Sequence, residues 1–371
     1  MRICHLTSVH VPFDTRIFHK ECRALVEAGH EVHLIARYDR DETVDGVHVH
    51  PIPSFKNKVE RMLKATIALY QKALAGSYEV CHFHDPELIP VGILLKLRGK
   101  TVVYDVHEDY PVYFRHKEAF PALLRIPLSN LINIIERFAA GRFDAVVTVT
   151  PTIQKRFRKL NSNSVMIRNF PSFDEITPTD GDAPGSEKSN TVAYVGSLTL
   201  DRGVEQMVRA IGIVRERMPV RLLMAGDFGG PAEEEYIRDL PEYAFVDYRG
   251  HTSRKETIDM LAEAKAGLVV CHPRINYMHA YPTKLFEYMA AGIPVVASNF
   301  PLWRDIVEDA GCGYLVNPMN PGAIADAIIR LLTNPREANA MGTRGREAVR
   351  EKYTWDGEKK ALLDLYSNLD I

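Results

Sequence analysis

Twice along this chain, short apolar strands alternate with helical patterns, and a polar stretch rich in Pro, Asp, Gly and Ser separates the two runs. The first run reads "RICHLTS", a helix around "FHKECRALVEAG", and strand "HEVHLIA", followed by "YEVCHFHD", "KTVVYDVHED" and "FDAVVTVTP". Each strand ends in polar residues that lead into helical sequence. This rhythm predicts βαβ units and a parallel sheet covered on both faces. "RNFPSFDEITPTDGDAPGSEKSN", residues 168–190, predicts an interdomain linker. The rhythm then restarts with strand "TVAYVGS", helix "GVEQMVRAIGIVRERM", strands "VRLLMAG" and "FVDYRGH", helix "KETIDMLAEA", strand "AGLVVCHP", a helix within "YPTKLFEYMAAG" and strand "IPVVAS". A chain of 371 residues exceeds what one hydrophobic core ordinarily supports. The expectation is therefore two doubly wound α/β domains, 1–167 and 191–350, with a C-terminal helix over 351–371. Ligands of such sheets bind at the carboxyl ends of strands, where helix N-termini point.

Composition removes several function classes. A net charge of −2 gives no electrostatic reason for a nucleic-acid partner. Cys4, Cys22, Cys81, Cys271 and Cys312 are scattered without a C-x-x-C pair, the pattern of reduced thiols in a cytoplasmic protein. The opening "MRICHLTSV" lacks the apolar core of a signal peptide, and no stretch has the length of a membrane span. A dehydrogenase is disfavoured because no G-x-G-x-x-G follows either first strand.

Two stretches of the second domain carry chemistry. "YVGSLTLDRG" runs from a strand through a glycine turn to Arg202 and Gly203 at a helix start, where free N–H groups and a guanidinium suit an anion. A structural turn with a solvated arginine fits the same residues. In "YPTKLFEYMAAGIPVVAS", Pro282 suits the first turn of a helix that Gly292 and Pro294 close. Lys284 and Glu287 share one face of that helix. Either they form a surface ion pair worth about 0.2–0.5 kcal/mol, or they grip a ligand carrying both phosphates and a vicinal diol.

"VGSLTLDRG", "YPTKLFEYMAAGIPVVAS", "GCGYLVNPMNPGAIADAI" and "MGTRGREAV" together resemble the C-terminal half of the family 4 retaining glycosyltransferases. The likeness extends over nearly the whole chain and is looser in the first domain. It implies the GT-B fold: two Rossmann-like domains facing a cleft, with the C-terminal helix crossing back to the N-terminal domain. It implies a nucleoside-diphosphate sugar donor, UDP-linked by default with GDP-mannose as the other option, and a glycan or lipid-linked acceptor. Transfer would retain the anomeric configuration, without cofactor or metal. Carried onto this sequence, Arg202 becomes a diphosphate ligand and Glu287 the ribose ligand. Lys284, with Ala280, Tyr281, Thr283 and Leu285, lies beside the donor phosphates and sugar. Gly196 and Ser197 form the turn, and Gly250 and His251 lie near the base. His107, after strand "KTVVYDV", matches a histidine beside the donor sugar.

The chain departs from the family pattern in three places. The first member of the E-x7-E pair would stand at 279, where this chain has His279, next to the transferred sugar. The arginine that usually follows the V-G turn is Ser197 here, leaving Arg202 more of the phosphate charge. The glycine-rich loop after the first strand is replaced by "SVHVPFDTRIFHKE", whose Asp14 and Arg16 are expected to face the acceptor or supply the missing cation. His84 and Glu108 join them on the acceptor side. His82, His84, Asp85, Glu108 and Asp109 are metal ligands by type, yet no tight ligand spacing emerges among them.

"FKNKVERMLKATIALYQKALAG" and "YFRHKEAFPALLRIPLSNLINIIERFAAGR" are apolar helices with basic flanks. Such helices either bury their stripe within the domain or rest on an anionic membrane surface. Three other activities fit the same fold. They are a sugar-nucleotide epimerase, a phosphorylase, which needs a pyridoxal-binding lysine, and a nucleotide-sugar-binding protein that has lost catalysis.

Overall fold

A computed structural model describes residues 1–55, 57–116, 120–173 and 190–369. Most of the expected linker, 174–189, lies outside the described residues, as does Lys56. The chain divides into two compact units, Met1–Asn169 with Asp356–Ile371, and Phe170–Trp355. The C-terminal helix Trp355–Ser367 thus belongs, from Asp356 onward, to the N-terminal unit.

In the first unit the strands are β1 (Arg2–Leu6), β2 (Glu31–Arg37), β3 (Glu42–Val44), β4 (Val47–Ile52), β5 (Val80–Phe83), β6 (Thr101–Val106), β7 (Ala145–Thr148) and β8 (Ser164–Met166). Their order is β3-β4-β2-β1-β5-β6-β7-β8, parallel except for the β3–β4 hairpin at one edge. Two-residue periodicity gives this sheet two chemically different faces. Cys4, Leu6, Cys81, Phe83, Val102 and Tyr104 point into an apolar cluster capped by the helices Thr66–Ala75, Ile89–Leu97 and Ala122–Ala140. The alternate positions include His5, His82, His84 and Asp105, all fully buried. Over this second face lie the helical segment Ile17–Cys22 and the C-terminal helix. Tyr366 reaches His82, Lys359 pairs with Glu27, and Glu358 pairs with Arg168.

The second unit has strands β9 (Thr191–Val195), β10 (Arg221–Ala225), β11 (Val246–Tyr248), β12 (Ala266–Val269), β13 (Val295–Ser298) and β14 (Gly313–Val316). They form one parallel sheet in the order β11-β10-β9-β12-β13-β14. Both faces are apolar, as a doubly covered parallel sheet requires. Val192, Tyr194, Leu222, Met224 and Leu268 pack against the helices Val204–Arg215 and Pro321–Thr333. Ala193, Leu223, Val295 and Ala297 pack against Arg254–Glu263, Thr283–Ala290 and Pro301–Ala310. Gly267 in β12 is glycine because a Cβ there would strike the ring of Tyr288, whose hydroxyl accepts the Val195 N–H at 2.9 Å. This contact fixes the depth at which the Thr283–Ala290 helix sits. All five cysteines are buried free thiols. No helix among the described residues is long and apolar enough to cross a membrane.

Candidate functional site

Strand order changes direction between β9 and β12 in the second unit, and the crevice at their carboxyl ends is where such a sheet receives a ligand. Gly196 follows β9 there with φ +132°, and a Cβ on it would collide with the Lys284 side chain. Lys284 therefore lies across the turn, its Nζ 5.4 Å from the centre of the Tyr194 ring. Arg202 ends a short 3-10 turn, Leu200–Arg202, and Gly203 closes it at φ +76°, where a side chain would strike the Val270 carbonyl. The guanidinium stacks 4.7 Å over the Tyr277 ring and lies beside Cys271 at the end of β12. Burial and the neighbouring Arg202 push the Lys284 ammonium down to about 8. Among the described residues neither cation forms an ion pair. Two positive groups held close without a carboxylate between them make a site for a doubly charged anion.

Thr283–Ala290 starts one residue later than the sequence suggests, with Pro282 as the preceding cap and the Thr283 and Lys284 amides at its head. Glu287 does not pair with Lys284. Its Oε1 accepts from Arg254 Nη1 at 2.9 Å, at the start of the Arg254–Glu263 helix. At 22% exposure the carboxylate is held and partly shielded rather than released into solvent. Arg254 was not anticipated, because nothing in the spacing connects it to a residue 33 positions away.

Other expected donor-side residues fall into two groups. Ala280 is fixed through its carbonyl, which accepts from Trp303 Nε1 at 2.8 Å. His279 ends the short helix Ile275–Met278 and is exposed. Ser197 is exposed, and its carbonyl accepts from the Tyr194 hydroxyl at 2.8 Å. Gly250 turns at φ +67° and its carbonyl accepts from Gly226 N–H at 2.7 Å, while exposed His251 sits 3.1 Å from Asp227. Leu285 and Tyr281 turn their side chains into packing. Leu285 is fully buried with its amide donating to Pro282, and Tyr281 packs on Phe170 and Phe286. Both shape the helix from beneath.

The corresponding switch point of the first unit lies between β1 and β5. Asp85 there accepts from the Thr7 hydroxyl and the Ser8 amide at 2.9 and 2.6 Å, tying the two strand ends together. Beside it, Asp105 is a hub. Arg16 meets it through Nε at 3.0 Å and Nη2 at 3.1 Å, His107 Nε2 lies 3.0 Å away, and His84 Nδ1 3.3 Å. Burial by itself would raise the Asp105 carboxyl, but Arg16 and His107 hold it well below the usual carboxylate range.

Three residues expected on the acceptor side are engaged within the unit. Arg16 is 4% exposed and gives a further N–H, from Nη1, to the Ile167 carbonyl, so it is a buried counter-ion and not a free cation. Asp14 caps the Ile17–Cys22 helix, accepting from the Arg16 and Ile17 amides at 2.8 and 3.0 Å, and contacts His10 at 3.2 Å. His84 is fully buried and serves the hub, not an open surface. His107 remains partly exposed at 15%, and Glu108 is exposed. Asp105 itself was missed, although an acid inside the apolar run "TVVYDV" was a signal that it must have a buried partner.

The family pattern described as "Glycosyl transferases group 1" matches residues 178–348, and "Glycosyltransferase Family 4" matches residues 15–170. An uncharacterized glycosyltransferase of Methanocaldococcus jannaschii is 28% identical over 367 residues, covering 92% of this chain and 90% of the relative. A phosphatidyl-myo-inositol mannosyltransferase of Mycobacterium leprae is 27% identical over 297 residues, 79% of this chain and 74% of the relative. Sucrose-phosphate synthase of Thermosynechococcus elongatus superposes with a TM-score of 0.79 at 20% identity, covering 99% of this chain and 98% of that one. Anabaena HepE in complex with UDP-glucose superposes at 0.74 with 14% identity over 100% of both chains.

Proposed function

The chain belongs to the family 4 (group 1) glycosyltransferases of the GT-B fold, and on that premise we propose that it transfers a hexosyl group, with retention, from a UDP-linked sugar to a hydroxyl of a lipid-linked glycan acceptor. The observation that carries the donor assignment is the Arg202–Lys284 pair, two cations at the strand-end crevice with no acidic partner among the described residues. In this reading the diphosphate lies between them and the Thr283–Lys284 amides. Glu287, steadied by Arg254, accepts the ribose hydroxyls with its second oxygen. The acceptor hydroxyl attacks on the face from which the diphosphate departs, and the leaving phosphate oxygen takes its proton. Negative charge grows on that phosphate in the transition state, where fixed cations and amides are most effective. The family resemblance gives His107, which Asp105 holds at 3.0 Å, the role of supporting the transferred sugar. His279 stands where the family has a glutamate and sets sugar preference.

A thermal-shift screen across sugar nucleotides tests this reading. A cognate donor at a hundred times its Kd adds about 2.7 kcal/mol of stability, and UDP-sugars are expected to outrank GDP-mannose. A shift with GDP-mannose alone would overturn the choice of base, and no shift with any donor would overturn the site. Donor turnover that requires acceptor separates transfer from epimerisation. The same titration has a pH signature. Lys284 loses its proton near pH 8 in the free protein, and a bound diphosphate favours the charged form. Binding should therefore take up a proton around pH 8, and Kd should rise by up to about tenfold per pH unit above it. A Kd flat from pH 7 to pH 10 would remove Lys284 from the phosphates.

The lipid-linked acceptor rests on exposed apolar surface. The helix Ala122–Ala140 leaves Leu123, Ile126, Leu131, Ile134 and Phe138 exposed beside Arg137, and Met62 and Leu63 before the helix Thr66–Ala75 and Ile67 at its start are exposed too. Part of the stripe is thus on the surface while Tyr70 and Leu74 pack on the core, and the exposed part suits an anionic bilayer. The M. leprae relative is a phosphatidyl-myo-inositol mannosyltransferase, which points the same way. In vesicle flotation at low salt the protein is expected to float with anionic vesicles and stay down with neutral ones. Ile134→Ser with Phe138→Ser should weaken flotation several-fold. Protein that stays unbound to anionic vesicles at low salt would overturn the membrane contact.

A further inference from the structure

We propose that His5, His82, His84 and Glu21 form a buried zinc-binding site inside the first unit. His5 on β1 is in register with His82 on β5, and His84 lies two residues further along the same face. Glu21 enters from the Ile17–Cys22 helix that covers that face. All four residues have no exposed surface. One ligand atom from each lies within 4.8 Å of those of the other three.

The nitrogens of the three imidazoles divide by partner. On one side each ring meets an oxygen: His84 Nδ1 is 3.3 Å from Asp105 Oδ2, His82 Nδ1 is 2.8 Å from the Tyr366 hydroxyl, and His5 Nε2 is 3.5 Å from the same hydroxyl. On the other side His5 Nδ1 and His84 Nε2 approach to 3.0 Å, and His82 Nε2 has no hydrogen-bond partner at all. Both Glu21 oxygens are likewise buried without a donor, although the carboxyl lies against that of Asp105. Glu21 Oε1 stands 3.0 Å from Arg16 Nε, but that N–H is directed at Asp105. Native interiors rarely leave such groups unmatched. Metal-bound histidines ordinarily hand their second nitrogen to a carboxylate or another oxygen, which fixes the tautomer and leaves the first nitrogen's lone pair for the ion. Asp105 and Tyr366 fill that role here. The lone pairs of His5 Nδ1, His84 Nε2 and His82 Nε2, with one Glu21 oxygen, then make a four-ligand set of nitrogen and oxygen donors suited to a closed structural zinc site.

Neither neighbouring cluster has the same property. In Glu31–His33–His48, Glu31 is exposed and both His33 nitrogens are already engaged, by Glu31 and His50 at 2.9 Å each. In His84–Asp105–His107, the carboxylate is already held by Arg16. The proposed ion would join β1, β5 and the Ile17–Cys22 segment, and through Tyr366 the C-terminal helix. It would also fix His84 against Asp105 and so settle the orientation of His107. It enters no bond-making step and is independent of the donor assignment.

The test is elemental analysis of the full chain purified without metal-affinity chromatography. About one zinc per chain is expected, together with visible cobalt bands of tetrahedral type after refolding in Co²⁺ in place of Zn²⁺, and refolding yield that falls with a strong chelator and returns with zinc. Glu21→Gln and His82→Gln should each lower zinc content several-fold, while the His33→Gln/His48→Gln double variant should keep it. Wild-type protein that folds without stoichiometric metal and shows no cobalt bands would overturn the site, identifying the cluster as a proton-sharing network. Zinc that survives Glu21→Gln and His82→Gln but disappears with His33 and His48 would overturn it as well.

Discussion

Arg202→Ala should lower turnover of the sugar nucleotide by about 10²–10³, the range seen when one preorganised donor to a developing oxyanion is removed. The side chain is built for this. Gly203 allows the turn that presents it, the Tyr277 ring supports its plane, and among the described residues no carboxylate competes for its N–H groups. Alanine at this position leaves Lys284 alone against the diphosphate. A second readout separates chemistry from folding. Because Arg202 is one of the groups depressing the Lys284 ammonium, its removal should move the alkaline fall in donor binding to higher pH. Arg202→Lys should recover part of the rate through charge while losing the planar fork. Kinetics matching wild type in the alanine variant, with an unmoved pH profile, would dismiss Arg202 from the phosphates.

The second unit was far more legible than the first, and the reason is physical. Its signals are local: Gly196 and Gly203 mark turns that no side chain tolerates, Pro282 and Gly292 bracket a helix, and the strands are short apolar runs between them. Backbone rules read from neighbouring residues place Arg202 and Lys284 at the same crevice. Partners distant in the chain were beyond such rules. Glu287 finds Arg254 across two helices, and Ala280 is pinned by Trp303. In the first unit the loop "SVHVPFDTRIFHKE" looked cleft-facing because its residues are polar. Polarity alone does not tell a ligand-facing residue from one facing a buried counter-charge. Arg16 turned inward because Asp105 stands on the sheet face beneath it, 89 positions later, and Asp14 turned back to cap the helix it precedes. The same gap hid the meeting of Tyr366 with His82, which depends on the last helix joining the first unit.

Asp105→Ala should destabilise the first unit by about 3–5 kcal/mol, because it leaves the Arg16 guanidinium buried without its counter-charge. Asp105 receives two N–H groups from Arg16 and one ring nitrogen from each of His84 and His107, at 3.0–3.3 Å and with no exposure of its own. Loss of His107 orientation should accompany the loss of stability, so residual folded enzyme should also turn over more slowly. The decisive comparison is a double-mutant cycle. If the cost arises from an orphaned charge, Arg16→Met combined with Asp105→Ala should be less destabilised than the sum of the single variants, since removing both members of a buried pair is often close to neutral. Glu21, 3.0 Å from Arg16, offers a substitute carboxylate, so adding Glu21→Gln to Asp105→Ala should deepen the loss beyond additivity. Denaturant melts of the three single and two double variants measure each term. Simple additivity in both cycles would show that Arg16, Glu21 and Asp105 act independently, and the hub would then be a coincidence of packing rather than the device that orients His107.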